Sequence, residues 1–244
     1  MPTSTNFGAT HLADRSVIRV SGEGAAEFLQ GLLTNDVVAG PLPAYAALLT
    51  PQGKVIADML VWAEGEDRLL DVEATRATAI VQRLSMYRLR RPITIAVDDV
   101  LGAHWTSEGE EGAADPRLAA LGRRWLAPRS DDDASDAWRA HRLALGVTEG
   151  VAELGDATTL WLEANAAELG GVSFTKGCYV GQENTARMNW RQKVNRRLVV
   201  VPLSDADEAR QRTTYPALGW SVEHRRVEDV PTALRPAWWG AQEG

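Results

Sequence analysis

The chain has a single cysteine, and its neighbours make it the residue best placed for covalent or metal chemistry. It lies in Lys176-Gly177-Cys178-Tyr179-Val180-Gly181-Gln182-Glu183. Two glycines bracket the thiol, a cation precedes it, and an amide and a carboxylate follow. Backbone freedom combined with several polar groups makes poor core filler, so the stretch reads as a turn that presents a thiol. A thiol becomes a nucleophile or a metal ligand only as thiolate, and a nearby cation such as Lys176 or a helix N-terminus favours that form. The opposing reading is a buried structural cysteine, which most lone cysteines are. The glycines and polar flanks weigh against it.

Other constellations are missing from the sequence. His11, His104, His141 and His224 are scattered, with neither metal-ligand spacing nor an adjacent cysteine. There is no dinucleotide or P-loop glycine motif. One cysteine cannot form an intramolecular disulfide or hold a cluster through four thiolates. No metal site is expected: Asp131-Asp132-Asp133 reads as helix-start carboxylates, since consecutive residues do not converge on one ion. Asp58 interrupts the apolar run Val55–Ala63, so it must face solvent, a partner or a ligand. Residues alone leave two functions open, a thiol-using enzyme and a small-ligand binding protein.

Elements that position these residues can be read from periodicity. Ser16–Val20 predicts a strand. Ser21 is a candidate cap for a helix whose stripe is Ala25, Phe28, Leu29, Leu32 and Leu33. Ala46–Thr50 and Val55–Ala63 predict a hairpin around Pro51-Gln52-Gly53-Lys54. A strand over Arg68–Val72 and a helix capped by Thr75 follow, with Ala77, Ile80, Val81 and Leu84 inward. Arg88, Arg90 and Arg91 crowd the end of that helix, where cations suit its dipole. Short strands over 93–97, 100–105 and 124–127 precede a helix from Asp131 to about Leu145. A short helix over 183–188, a basic segment (Arg187, Arg191, Lys193, Arg196, Arg197) and a strand over 198–203 come next. The last forty residues predict short strands and a loosely ordered end. The class is α+β with mostly antiparallel sheets.

The 244 residues suffice for one large or two ordinary domains. With 45% apolar and 24% charged residues, the composition is that of a soluble globular protein. A net charge of −7 argues against bulk nucleic-acid or membrane binding. Met1 to Ala13 shows no basic segment followed by an apolar run. The expectation is a cytoplasmic protein.

The segment Val172–Glu183, with K-G-C-Y-V-G-Q-E at its end, resembles the motif of the YgfZ family, folate-binding proteins of iron–sulfur cluster maturation related to the glycine-cleavage T-protein. Phe28–Val37 is similar to the family's first helix and its T-N-D ending, and Leu49–Lys54 through Asp58 to its P-x-G-K hairpin. Gly170-Gly171-Val172, Arg187 and Arg196-Arg197-Leu198 add to the likeness, which spans about residues 12–203. The resemblance implies a folate-binding unit over 1–195, made of two intertwined subdomains (about 1–100 and 101–195). A shortened C-terminal β-barrel would occupy 196–244.

It also implies a tetrahydrofolate-dependent factor for maturing or repairing iron–sulfur proteins, rather than a classical enzyme. Its partners would be a reduced folate and iron–sulfur client proteins or assembly factors. Cys178 would be the reactive residue and Lys176 its activator. Tyr179, Gln182 and Glu183 would orient the turn, Asp58 would meet the pterin, and Arg142 falls on the arginine of the T-protein's L-R-x-E-x-G segment. Ala144 stands where that segment has glutamate. The alternative is a tetrahydrofolate-dependent aminomethyltransferase of the T-protein type.

Overall fold

A computed structural model of the chain describes residues 8–191 and 194–239. The leader reading of residues 1–7 and the basic Lys193 lie outside the described residues.

Strands β1 (Arg15–Ser21), β2 (Ala44–Leu49), β3 (Val55–Glu64), β4 (Asp67–Glu73) and β5 (Thr94–Asp98) form an antiparallel sheet in the order β2-β3-β4-β1-β5. Both faces are buried. Alternation along β3 turns Ala57, Met59 and Val61 toward helices α1 (Ala25–Gln30) and α2 (Ala77–Arg88), where Phe28, Leu29, Ile80 and Leu84 meet them. The intervening residues Asp58, Leu60 and Trp62 therefore face the opposite side. There Leu60, Trp62 and Tyr45 pack with Trp105, Trp138 and Trp161.

The second layer is smaller. Strands β6 (Leu101–Thr106), β7 (Ala113–Ala114) and β8 (Arg123–Pro128) make a sheet ordered β6-β8-β7. Helix α3 (Ser135–Ala144) buries Trp138 and Leu143, and its Trp138 ring lies 5.3 Å from Trp105. A loop follows, then the single-turn α4 (Val151–Leu154) and the long irregular stretch to α5 (Gln182–Trp190).

Several boundaries differ from the periodic reading. Helix α1 stops at Gln30: Leu33 leaves it to bridge Leu48 of β2, so the apolar spacing continues after the helix has ended. Its N-cap is Gly24, not Ser21. Thr75 lies in a 3-10 turn ahead of α2 and bonds Glu73. The three aspartates precede α3, which starts at Ser135; Asp133 accepts from the Ser135 N–H and hydroxyl.

The C-terminal part is more regular than its weak periodicity suggested. Strands β9 (Arg196–Pro202), β10 (Gln211–Tyr215) and β11 (Trp220–Arg226) form an antiparallel sheet ordered β10-β11-β9. Three strands leave the sheet open, so no closed barrel exists among the described residues. Val200 and Val222 pack on Leu143 of α3, and Trp238 donates to the Leu145 carbonyl at 2.8 Å. No helix among the described residues is long and apolar enough to cross a membrane.

Candidate functional site

The cysteine turn is held from below at several points. Lys176 is buried, and its Nζ donates to the carbonyls of Gln30 (2.7 Å), Leu33 (2.6 Å) and Asn35 (2.9 Å). These are the open carbonyls after α1, which an ammonium with three N–H groups can satisfy together. Burial draws its pKa down to about 8 against the opposing charge of Asp36. Thr34 donates to the Gly171 carbonyl at 2.7 Å and Asn35 to that of Gly170 at 2.7 Å. The T-N-D sequence thus ties the segment before the turn to the first sheet.

The hairpin between β2 and β3 supports the other end. Gly181 has φ +86°, and a Cβ there would stand 2.6 Å from the Thr50 carbonyl, so only glycine lets the two turns touch. Asn184 of α5 donates to the Gln52 carbonyl at 2.6 Å. Between these anchors Cys178 is exposed. Tyr179 is buried beside it, its ring 5.0 Å from Lys176 Nζ, and burial raises its phenol pKa. Gln182 opens α5 half-buried, and exposed Glu183 pairs with Arg187 at 2.7 Å. All three donors of the Lys176 ammonium are taken by main-chain carbonyls under the turn, so Lys176 anchors the turn and makes no hydrogen bond to the thiol.

Asp58 and Arg142 belong to a second set, which no direct bond joins to the first among the described residues. Four buried guanidiniums, Arg15, Arg117, Arg124 and Arg142, face five buried carboxyls, Asp58, Asp71, Asp115, Glu149 and Glu153. Arg15 and Arg124 share Asp71 at 2.7 Å each. Arg117 joins Asp115 (2.7 Å) to Glu149 (2.6 Å) and lies over the Tyr45 and Trp138 rings. Arg142 binds Glu153 through two bonds of 2.8 and 2.7 Å, so Glu153 supplies it with a carboxylate. Asp58 is the odd carboxyl: it accepts from the Gly150 N–H at 3.2 Å and, at 3.4 Å, from the Tyr45 hydroxyl, and no arginine bonds it. Burial, then the charge of Glu149, pushes its pKa up to about 6. Burial also disfavours the Glu149 anion, but Arg15, Arg117, Arg142 and Arg124 outweigh it and hold that carboxyl well below its usual range.

This network does not fit a folate at Asp58. Asp58 is only 3% exposed, and the cavity it lines measures about 10 Å³. That is room for about one water molecule, far below a bicyclic pterin. A wider groove of about 380 Å³ lies beyond Gly150, lined by Arg139, Arg142, Glu149 and Tyr215. Tyr215 donates from its rim to Glu153 at 2.6 Å and Glu149 is held by Arg117 and Trp138, while Arg142 Nε and Asp14 Oδ1, also in its lining, are buried without a hydrogen-bond partner among the described residues. The sequence reading missed Arg15, Arg117, Arg124, Glu149 and Glu153. Glu149 and Glu153 lie four residues apart, the one local spacing among them.

The comparisons with known proteins converge. No family model matches the chain. The human protein named iron-sulfur cluster assembly factor IBA57, mitochondrial, is 34% identical, over 93% of this chain and 76% of that one. The chain belongs to the IBA57 family. IBA57 of mouse is 33% identical over 79% of this chain, and the Pyricularia oryzae homologue 32% over 85%. The chain spans 65% of the mouse IBA57 and 60% of the Pyricularia one. Among solved structures, the glycine cleavage system aminomethyltransferase T from Bartonella henselae has a TM-score of 0.64 at 15% identity, over 91% of this chain and 79% of that one. The chain therefore has a T-protein-like fold, as the resemblance implied.

One expectation is overturned. These IBA57 relatives are named mitochondrial, which stands against the cytoplasmic reading. Composition and charge could not separate the two, because soluble proteins of both compartments share them.

Proposed function

We propose that this chain acts in the maturation or repair of iron–sulfur proteins, with Cys178 as the group that meets the cargo. The observation behind this reading is the placement of the cysteine: exposed, in a turn anchored on both sides, in a chain whose IBA57 relatives are named iron–sulfur cluster assembly factors. A thiolate is a soft ligand suited to iron in a cluster. On ligation the thiol gives up its proton to solvent and its sulfur lone pair to an iron of the cargo. On transfer the iron–sulfur bond breaks and the thiol takes a proton back. The anchored turn keeps the sulfur at the surface throughout, and Tyr179, Gln182 and Glu183 shape its exit into α5.

No step is assigned to a folate, since Asp58 is closed off: it is buried and lines a cavity of only about 10 Å³. The same closure weakens the aminomethyltransferase alternative, whose support is the T-protein-like fold alone. The test is rescue in a strain lacking the protein. Cys178→Ala is expected to leave cluster-dependent enzymes at the level of the deletion; full restoration would sink the proposal.

A further inference from the structure

The C-terminal sheet carries more positive charge than its own acids neutralise. Strands β9 and β11 pair so that Arg197 faces Arg225 and Arg196 faces Arg226. Like charges directly opposite on neighbouring strands cost stability. The inner pair is compensated. Arg225 bonds the buried Glu223 at 2.7 Å and the Asp205 carbonyl at 2.7 Å, and Arg197 pairs with Glu168 and bonds Asn165 at 2.9 Å. The outer pair is not. Arg196 makes no side-chain bond to another described residue, and Arg226 has only Glu228, 3.2 Å away and 72% exposed. An ion pair so exposed is worth little.

A third guanidinium joins the outer pair. Arg235 lies in the chain that follows β11, and its Nε and Nη2 donate to the carbonyls of Val230 (3.1 Å) and Val227 (3.3 Å). These bonds hold the fork in place and leave Nη1 without a partner among the described residues. Arg196, Arg226 and Arg235 line one cavity of about 540 Å³ with Val194, Val227 and Glu228, its one acid among the described residues. Three cations in one concavity make a local positive field in a chain of net charge −7. Their number narrows the ligand. A carboxylate has two oxygens and a single charge, and one guanidinium fork satisfies it. Three forks match a terminal phosphate, which offers three acceptor oxygens and a charge near −2. The cavity is in the size range of small-molecule sites, with room for the molecule that carries the phosphate. A phosphorylated lipid headgroup offers the same chemistry, but the arginines line a hollow and are not spread over a face.

We propose that this cavity binds the phosphate group of a small soluble phosphorylated molecule, and that the bound anion offsets the repulsion between Arg196 and Arg226. The site uses no residue of the cysteine turn, so it stands or falls independently of the role proposed for Cys178. Calorimetry of the full chain with pyrophosphate, and with adenosine triphosphate free of magnesium, is expected to give saturable binding. Arg196→Gln with Arg226→Gln should weaken it about tenfold or more. Arg90→Gln, a change at an exposed arginine after α2, should leave it unchanged. Glu228→Gln, which removes the acid of the lining, should tighten it.

Without ligand, the Arg196→Gln/Arg226→Gln protein should melt no lower than wild type, because the repulsion leaves with the charges. Pyrophosphate should raise the melting temperature of wild type and not that of the double variant. No saturable binding of either phosphate, or equal binding by the double variant, would overturn the site. A lower melting temperature of the ligand-free double variant would make the two arginines structural and overturn it as well. Sedimentation with phosphatidylcholine vesicles containing phosphatidylinositol phosphate separates the two sources. Binding to these vesicles and to neither soluble phosphate would assign the cavity to a lipid headgroup and overturn the soluble ligand; binding to the soluble phosphates alone supports the proposal.

Discussion

Asp58 separates what a residue type suggests from what its surroundings allow. In the sequence it is a carboxylate in an apolar strand, and a ligand is one natural explanation. In the structure it is the fifth carboxyl among four guanidiniums, and the one without an arginine bond. Neutralising it balances the cluster, which agrees with the rise of its pKa from 3.8 to about 6. The folded protein holds a proton that the unfolded chain releases, so this contribution to stability is complete below pH 3.8 and is lost as pH rises through about 6. Glu149 acts oppositely: its contribution is present above its ordinary value of 4.5 and is lost on acidification. Asp58→Asn keeps an acceptor for the Gly150 N–H and removes only the first effect. Melting temperatures of mutant and wild type should therefore move apart in the mutant's favour from pH 4 to pH 8, by at most about 3 kcal/mol. A difference that is flat with pH would mean that Asp58 is ionised throughout.

At the scale of elements, the cysteine turn depends on two others, the T-N-D turn after α1 and the hairpin between β2 and β3. Lys176→Met would leave three main-chain carbonyls without their donor, at a cost of about 3 kcal/mol. It should also speed alkylation of Cys178 by freeing the turn, while the pH dependence of that reaction stays that of wild type. A shifted profile would restore Lys176 to the role of thiol activator. Gly181→Ala should melt earlier by more than the usual ~1 kcal/mol of a glycine replacement, because its Cβ would strike the Thr50 carbonyl. An unchanged melting temperature would refute that contact.

All three turns were legible in the sequence, because glycine, proline and short polar side chains mark turns by local rules. Their convergence was implied only through the family resemblance. The early end of α1 was hidden, since Leu32 and Leu33 continue helical spacing although Leu33 pairs with a strand. The ion network was hidden for another reason. Arg15 and Asp71 lie 56 positions apart, and Arg117 and Glu149 lie 32 apart, so no local pattern records them. Strand β10 escaped as a definite element because all five of its residues are half-buried, so no alternation marks it.

For the molecule as a whole, a T-protein-like fold has a buried network of arginines and carboxyls at its centre and an exposed cysteine at its surface. Breaking a buried ion pair is costly. A pterin that displaced Asp71, Glu149 or Glu153 from their arginines would meet that cost. Isothermal calorimetry with tetrahydrofolate should give no saturable binding; an isotherm abolished by Asp58→Asn would show that the network opens. The role proposed for Cys178 is tested most directly by the Cys178→Ala rescue of cluster-dependent enzyme activity in a strain lacking the protein. A folded, normally abundant Cys178→Ala protein that leaves those activities at the deletion level is the predicted result. Restoration to the wild-type level would contradict it.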